Sequence, residues 1–399
     1  MSVILPTYER RDLVHGAVAS VLAQTFRDFE LIVVDDGSRD GTRQALPPLA
    51  DSIRYLRQNH RGCAAARNAG VAYARGEVVA FLDDDDRWVR EHLAVIVSLM
   101  RRHPEAVLAS TSPGYRRWGW EQPEQMRLTE PFPAILTRGM AGFVPSTAVL
   151  RAELEAIGGF NESLASCEDC DLWLRLALRG PFVLLNRRTA KIRCTAGSVS
   201  ARACRDGTQL SAYWQSLRSV ETQLQQAGNA TAAAQVRAAR QYIDALWALG
   251  ADDPELIAEK LRDACEVLPD LAEEWGFALH LFGLLPSVVD PSVRLRHLRT
   301  LADAWPDHAR PTPLALSAHA ALASLRLAHP RTTARLLRNA PLSELIRFTA
   351  AGEARTLRFH LKTLSDIRRE LVRRSLHGVV DDPHDPARLP NGSQLKVPA

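Results

Sequence analysis

Cysteine is scarce in this chain: six in 399 residues, scattered at positions 63, 167, 170, 194, 204 and 265. That excludes a small secreted fold stapled by disulfides, and a reducing, cytosolic compartment is the simpler expectation. Long apolar runs are missing too. No stretch reaches the length, about 18 residues, that a helix needs to cross a bilayer. The N-terminus enters Ser2-Val3-Ile4-Leu5 directly, without the charged region and apolar stretch of a signal peptide. Neither sign of charge dominates. Fifty Lys and Arg against 46 Asp and Glu leave a net +4, which makes no case for nucleic acid but leaves room for contact with an acidic surface. Two nucleotide signatures are also absent. Pro6-Thr7-Tyr8-Glu9-Arg10-Arg11 stands where a dinucleotide-binding protein carries Gly-x-Gly-x-x-Gly, and no Walker A sequence occurs.

What is present has the composition of an ordinary globular protein, 46% hydrophobic and 24% charged, with enough length for two domains. Val3-Ile4-Leu5, Leu31-Ile32-Val33-Val34, Ile53-Arg54-Tyr55-Leu56 and Val78-Val79-Ala80-Phe81-Leu82 read as strands. The second and fourth are continuously apolar, as strands covered on both faces are. Between them, residues 11–25 and 62–75 have helical spacing, and Trp88 onward reads as helix. This alternation predicts an α/β domain with a doubly wound, mostly parallel sheet. Residues 111–145 lack clean periodicity and read as irregular structure beside a site. Residues 168–178 read as a helix. Beyond about 205 the pattern is all-α, with helices expected over 209–226, 230–249, 254–267, 270–284, 291–304, 313–327 and 342–374. The expected organisation is a domain over 1–205, a helical domain over 206–376 and a disordered tail over 377–399.

Open α/β sheets bind ligands at the carboxyl ends of their strands. Two of these strands end in acid: Asp35-Asp36, and Asp83-Asp84-Asp85-Asp86. Four adjacent aspartates repel one another, and a divalent cation with oxygen ligands would offset that repulsion. A solvated acidic turn or a helix cap is the plainer alternative. Asp36 is placed either to accept hydrogen bonds from a base or ribose or to form an Asx turn before Gly37. Arg67 lies among small residues (Gly62, Ala64, Ala65, Ala66, Ala69, Gly70), where a diphosphate can approach and pair with it. A packed helix carrying a surface arginine fits the same pattern. Glu168-Asp169, with Asp171 just beyond, is either a helix cap or a general base.

In order along the chain, Ser2-Val-Ile-Leu-Pro-Thr-Tyr8, Ser20-Val-Leu-Ala-Gln-Thr-Phe26, Phe29-Glu-Leu-Ile-Val-Val-Asp-Asp-Gly-Ser38 and Asp40-Gly-Thr42 are followed by Ala66-Arg-Asn-Ala-Gly70 and Ala74-Arg-Gly-Glu77. Phe81-Leu-Asp-Asp-Asp-Asp-Arg-Trp88, Gly158-Gly-Phe160 and Glu168-Asp-Cys-Asp-Leu-Trp173 complete the series. The series resembles glycosyltransferase family 2, of GT-A fold. The resemblance implies an inverting, metal-dependent transfer of sugar from a nucleotide-sugar donor, a UDP-sugar first, to a hydroxyl acceptor in bacterial polysaccharide, glycolipid or glycoconjugate synthesis. It places Pro6, Tyr8, Glu9, Asp36, Arg67, Asp83 and Asp84 at the donor, with Asp36 on the base. Asp85, with Asp83, would hold Mg2+ or Mn2+. Asp169 would be the base, with Glu168 beside it. Two departures stand out: Glu9 replaces the usual Asn after Pro-Thr-Tyr, and Thr195 stands near where many relatives have histidine.

A non-catalytic nucleotide-sugar-binding protein and a sugar nucleotidyltransferase are the rival readings, the latter without the Gly-rich, Lys-bearing loop it needs. Cys167 and Cys170, with Cys194 and Cys204, would make a loosely spaced four-thiolate zinc site; two small buried cysteines on one helical turn is the plainer expectation. The Arg-rich stretch Arg355, Arg358, Lys362, Arg368, Arg369, Arg373 and Arg374 either faces solvent or rests peripherally on the inner, anionic face of a membrane. Oligomeric state has no signal in the sequence.

Overall fold

A computed structural model of the protein describes residues 1–46, 53–112, 126–138, 142–193, 202–203, 208–251, 254–269, 300 and 304–305. The helices expected over 270–284, 313–327 and 342–374, nearly all of 291–304, the expected boundary at 205 and the tail lie outside them.

The architecture is a mixed, mostly parallel sheet of eight strands with helices on both faces, followed by helices. Strands β1 (Ser2–Thr7), β2 (Glu30–Asp35), β3 (Ile53–Arg57) and β4 (Val78–Phe81) alternate with helices α1 (Arg11–Leu22), α2 (Thr42–Ala45) and α3 (Cys63–Tyr73). The short β5 (Arg87–Trp88), α4 (His92–Arg102), β6 (Leu108–Ser112), β7 (Met126–Thr129) and α5 (Ile135–Arg138) follow. Next come β8 (Thr147–Leu150), α6 (Arg151–Ala156), α7 (Glu168–Ala177), β9 (Phe182–Arg188) and β10 (Ala190–Lys191). The spatial order is β3-β2-β1-β4-β8-β6-β9-β7. β1 pairs in parallel with β2 and β4, and β2 with β3. β8 enters antiparallel between β4 and β6, and β7 closes the edge antiparallel to β9.

Every residue of β1 is buried, so its side chains divide between two helical layers. Val3, Leu5, Leu31 and Val33 join Val14 and Val18 of α1 and Leu93 and Ile96 of α4 in one cluster. Ile4, of the opposite parity, faces α3, where it meets Gly70. Alternation along one strand thus fixes which helix covers which face.

Two expectations change here. The helix expected from Trp88 begins only at His92. Arg87 and Trp88 pair instead with Lys191 and Ala190, and the Trp88 indole N–H donates to the Pro145 carbonyl at 2.6 Å. A tertiary pairing overrides the local helical pattern. Residues 111–145, expected to be irregular, contain the end of β6, the strand β7 and the helix α5. β7 escapes sequence reading because it is an edge strand whose first three residues are exposed.

After residue 207 come α8 (Thr208–Gln226), α9 (Ala230–Ala251) and α10 (Pro254–Val267). Gly228, at φ +74°, ends α8, and the Asn229 side chain caps α9 by accepting from the Ala232 N–H. α9 packs on both its neighbours, burying Leu217, Val220, Val236, Ile243, Leu246, Ile257 and Leu261. α8 also packs on α7. No helix among the described residues is long and apolar enough to cross a membrane.

A β-carbon at Gly70 would sit 2.5 Å from Ile4 Cγ2. Gly70→Ala gains about 1 kcal/mol of helix propensity, but such overpacking costs about 1–3 kcal/mol. The expected net result is a lower urea midpoint with unchanged slope. An equal or higher midpoint would show that Ile4 swings aside.

Candidate functional site

The carboxyl ends of β1, β2 and β4 deliver Thr7-Tyr8, Asp35-Asp36 and the run Asp83–Asp86 to one edge of the sheet. α3 runs beside them and brings Arg67. This guanidinium is buried, yet charged: its Nη2 donates to Asp83 Oδ1 at 2.7 Å and its Nη1 to Glu168 Oε1 at 2.8 Å. Arg67 also lies over the Phe160 ring, 5.2 Å from its centroid. Its buried Nε has no hydrogen-bond partner among the described residues. One side chain therefore joins the four-aspartate run to the first turn of α7. The Ala residues around it are buried, which lets the helix lie close to β1 and carries the guanidinium inward.

The next residue locks the geometry. The Asn68 amide donates to the Phe160 carbonyl and to Glu162 at 2.9 Å each, and its oxygen accepts from the Phe160 N–H at 2.8 Å. Gly158 and Gly159 take φ of +76° and +72°, and a β-carbon at 159 would strike Asn68 Oδ1 at 2.5 Å. Sequence reading saw this glycine pair as a motif but not its task, which is to let the loop before α7 close on α3.

The acidic run is electrostatically unbalanced. Burial first, then the charge of Asp83 and Asp85, pushes Asp84 up to about 7. Burial and the other aspartates push Asp86 up to about 7 as well, and Asp85 is raised by burial and Asp83. Among the described residues the nearby cations include Arg67 on Asp83, Arg10 with Nε 3.9 Å from Asp84 Oδ1, and Arg193, whose charge acts on Asp85. Asp86 accepts from the Arg193 backbone N–H at 2.7 Å. Asp84, Asp85 and Asp86, all raised by burial and by neighbouring carboxylates, are with Asp83 a fit for a divalent cation. Among the described residues, no three His, Cys, Asp or Glu side chains form a ready cage, so a metal here would take other oxygens from a ligand or water. Thr195 lies outside the described residues.

On α7, Glu168 is drawn toward Arg67 while Asp169 accepts from the Cys170 N–H at 2.8 Å. Asp169 is raised to about 6, by burial first and by the charge of Glu168 second. That is the range for a carboxylate that gains and loses protons near neutrality. Asp171, one turn inward, is buried and plays another part. Arg175 pairs with it at 2.9 and 2.5 Å, and it accepts from Ser216 Oγ of α8 at 2.9 Å.

The remaining candidates divide. Tyr8 is exposed at the strand end and stacks on His60, centroids 3.9 Å apart. Asp36 is buried, and its carboxylate faces the loop before α3. Glu9 turns toward the neighbouring loop, accepting from the Arg39 N–H at 2.8 Å, and its backbone takes φ +52°. Pro6 is buried inside β1 opposite Val34. Cys167 and Cys170 are not in disulfides, and Cys167 Sγ donates to the Gln209 carbonyl at 3.4 Å. The other half of the four-thiolate alternative, Cys194 and Cys204, lies outside the described residues. His92 was missed by sequence reading. Burial pulls it down to about 3, so the ring is neutral, stacked on Trp88 and bonded to Thr189.

Residues 2–157 match the family model described as Glycosyl transferase family 2. An uncharacterized glycosyltransferase of Rickettsia felis is 28% identical over 207 residues, covering 50% of this chain and 33% of that protein. The Escherichia coli protein named UDP-Glc:alpha-D-GlcNAc-diphosphoundecaprenol beta-1,3-glucosyltransferase WfgD is 38% identical over 105 residues, covering 26% of this chain and 42% of that one. The chain thus spans well under half the length of these curated relatives. The structure of Staphylococcus aureus TarS 1–349 with UDP-GlcNAc aligns with a TM-score of 0.48 at 19% identity, over 84% of this chain and 91% of that one.

Arg67→Ala would leave Asp83 and Glu168 facing each other without their shared cation. The expected loss is about 2–3 kcal/mol of folding stability, read as a lower urea midpoint, with Arg67→Lys recovering part of it. An unchanged midpoint in Arg67→Ala would show that the two carboxylates do not depend on the bridge.

Proposed function

We propose, from the premise that residues 2–157 form a glycosyltransferase family 2 domain, that the chain transfers a sugar from a nucleotide-sugar donor to a hydroxyl acceptor with inversion at the anomeric carbon. The observation that carries the reading is the Arg67 bridge, because it sets the Asp83–Asp86 run and the Glu168–Asp169 pair on one patch. Asp85, with Asp83 beside it, would hold Mg2+ or Mn2+, which when bound neutralises charge on the departing diphosphate. The unpartnered Nε of Arg67 offers a further donor to that anion. Tyr8 and Asp36 take the base. Asp169 removes the proton of the acceptor hydroxyl as its oxygen forms the new bond, and Arg67 holds Glu168 in place beside it. Displacement in one step needs no covalent intermediate, so configuration inverts. The printed name of the E. coli relative, with UDP-Glc as donor and a lipid-diphosphate acceptor, supports a UDP-sugar and a role in bacterial polysaccharide or glycolipid synthesis. The helices beyond residue 205 are assigned here to acceptor recognition, membrane docking or assembly.

Asp169→Asn keeps the shape but accepts no proton, so kcat should fall by about 10² or more with donor affinity near normal. Near-normal turnover in Asp169→Asn with loss in Glu168→Gln would move the base to Glu168. In the native chain Asp169 is raised to about 6, and it is inactive as a base when protonated. The rate should therefore be level above that pH and fall tenfold per unit below it; a rate flat down to pH 5 would remove Asp169 from the role.

Asp85→Ala should abolish turnover and metal-dependent donor binding while leaving the circular dichroism spectrum unchanged. Full activity in EDTA would overturn the metal assignment.

A further inference from the structure

The buried carboxylate of Asp36 is already met by protein groups on both oxygens. Its Oδ1 accepts from Gln58 Nε2 at 2.7 Å and from the Arg61 N–H at 2.9 Å. Its Oδ2 accepts from the Gly62 N–H at 2.8 Å, and His60 Nδ1 lies 2.8 Å from the same oxygen as an ion-pair contact. Three hydrogen bonds and the His60 contact crowd the roughly four lone-pair positions that a carboxylate offers. A nucleobase that is to donate to Asp36 must therefore evict one of them.

The two backbone donors are fixed, since Gly62 caps α3 and the loop lies close on the Asp36-Gly37 turn: a β-carbon at Gly37 would meet the His60 nitrogen at 3.0 Å and the Gln58 carbonyl at 3.3 Å. The exchangeable groups are the side chains of Gln58, which donates to Asp36, and His60, which lies against it. They differ in one respect that decides the matter. His60 also lies flat on Tyr8, 3.9 Å between centroids and 19° between planes. Its side chain is 54% exposed, so it can leave without opening the core. The imidazole thus occupies the place a uracil or guanine would take: a flat ring against Tyr8, with a ring nitrogen 2.8 Å from Asp36 Oδ2.

We propose that His60 is a built-in stand-in for the donor's nucleobase, keeping the seat between Tyr8 and Asp36 until a base with a ring N–H displaces it. The inference rests on the donor reading of Tyr8 and Asp36 given above. The stand-in keeps Asp36 satisfied and Tyr8 covered while no donor is bound. It also sets a threshold for binding: a ligand that cannot replace both the stack on Tyr8 and the contact with Asp36 gains nothing by evicting it.

The test measures UDP, GDP and ribose 5-diphosphate binding by calorimetry in the full chain and in His60→Ala. Removing an internal competitor should tighten UDP or GDP about three- to tenfold, the inverse of the fraction of time the seat is open. Ribose 5-diphosphate has no base and should bind both proteins alike. In parallel, the His60 imidazole signal, assigned by its loss in the variant, should leave its ring-current-shifted position over Tyr8 as UDP or GDP saturates the native chain. Weaker or unchanged UDP and GDP binding in His60→Ala, or a His60 signal that stays in place at saturation, would overturn the proposal and leave the donor reading standing. A native chain that binds neither UDP nor GDP, with or without Mn2+, would overturn the donor reading and this inference with it.

Discussion

A guanidinium buried at the centre of an acidic site is tolerated only if its charge is answered, and the fold around Arg67 is arranged to answer it. Asp83 comes from the end of β4 and Glu168 from the start of α7, 101 residues beyond Arg67 in sequence. Neither carboxylate can shift without stranding the cation in a place with little water to solvate it, where the penalty runs to several kcal/mol. Geometry follows from this. The first turn of α7 must stand over α3, the two glycines before it must turn tightly, and Asn68 secures that turn from the same helix. The placement of Asp169 relative to the acidic run is a by-product of neutralising Arg67.

The same charge balance explains the rest of the site's chemistry. Arg67 is spent on two partners, so it does little for Asp84, Asp85 and Asp86, which remain raised by burial and by one another. A fold selected for stability alone would not keep four carboxylates there, because isolated buried acid is costly. The strain is local, and it is offset by the apolar sheet beneath, where Ile4, Leu5, Ile32, Val33, Phe81 and Leu82 are wholly buried.

Much of this was legible in the sequence, and the boundary of legibility is physical. β1, β2 and β4 were visible because a strand covered on both faces is a continuous apolar run, and their acidic ends marked the edge that would carry ligands. β7 was hidden by its exposure. β5 was hidden because its pairing partner lies at 190–191, and no local pattern encodes that. Asp36 was recognisable as a candidate, but its enclosure by residues 58–62 depends on how a loop closes. Arg67 was read as a possible surface arginine or phosphate ligand, whereas its bonds to Asp83 and Glu168 cross two motifs that had been read separately. Asn68, Gly159 and Ser216 act through partners far along the chain, and single-residue chemistry gives no sign of them.

The hydrogen bond from Ser216 to Asp171 bears on how the molecule is assembled in time. Asp171 is buried in α7 with Arg175 on one oxygen and Ser216 on the other. A nascent chain that has delivered the sheet and α7 still lacks the hydroxyl, which follows 45 residues later. Until α8 arrives, the inner side of α7 has an exposed carboxylate oxygen and an uncovered apolar flank. Docking of α8 therefore completes the helix that bears Asp169, and the two should gain protection from hydrogen exchange together, as one cooperative unit. The helical extension thus joins α7 during folding, as part of the same cooperative unit.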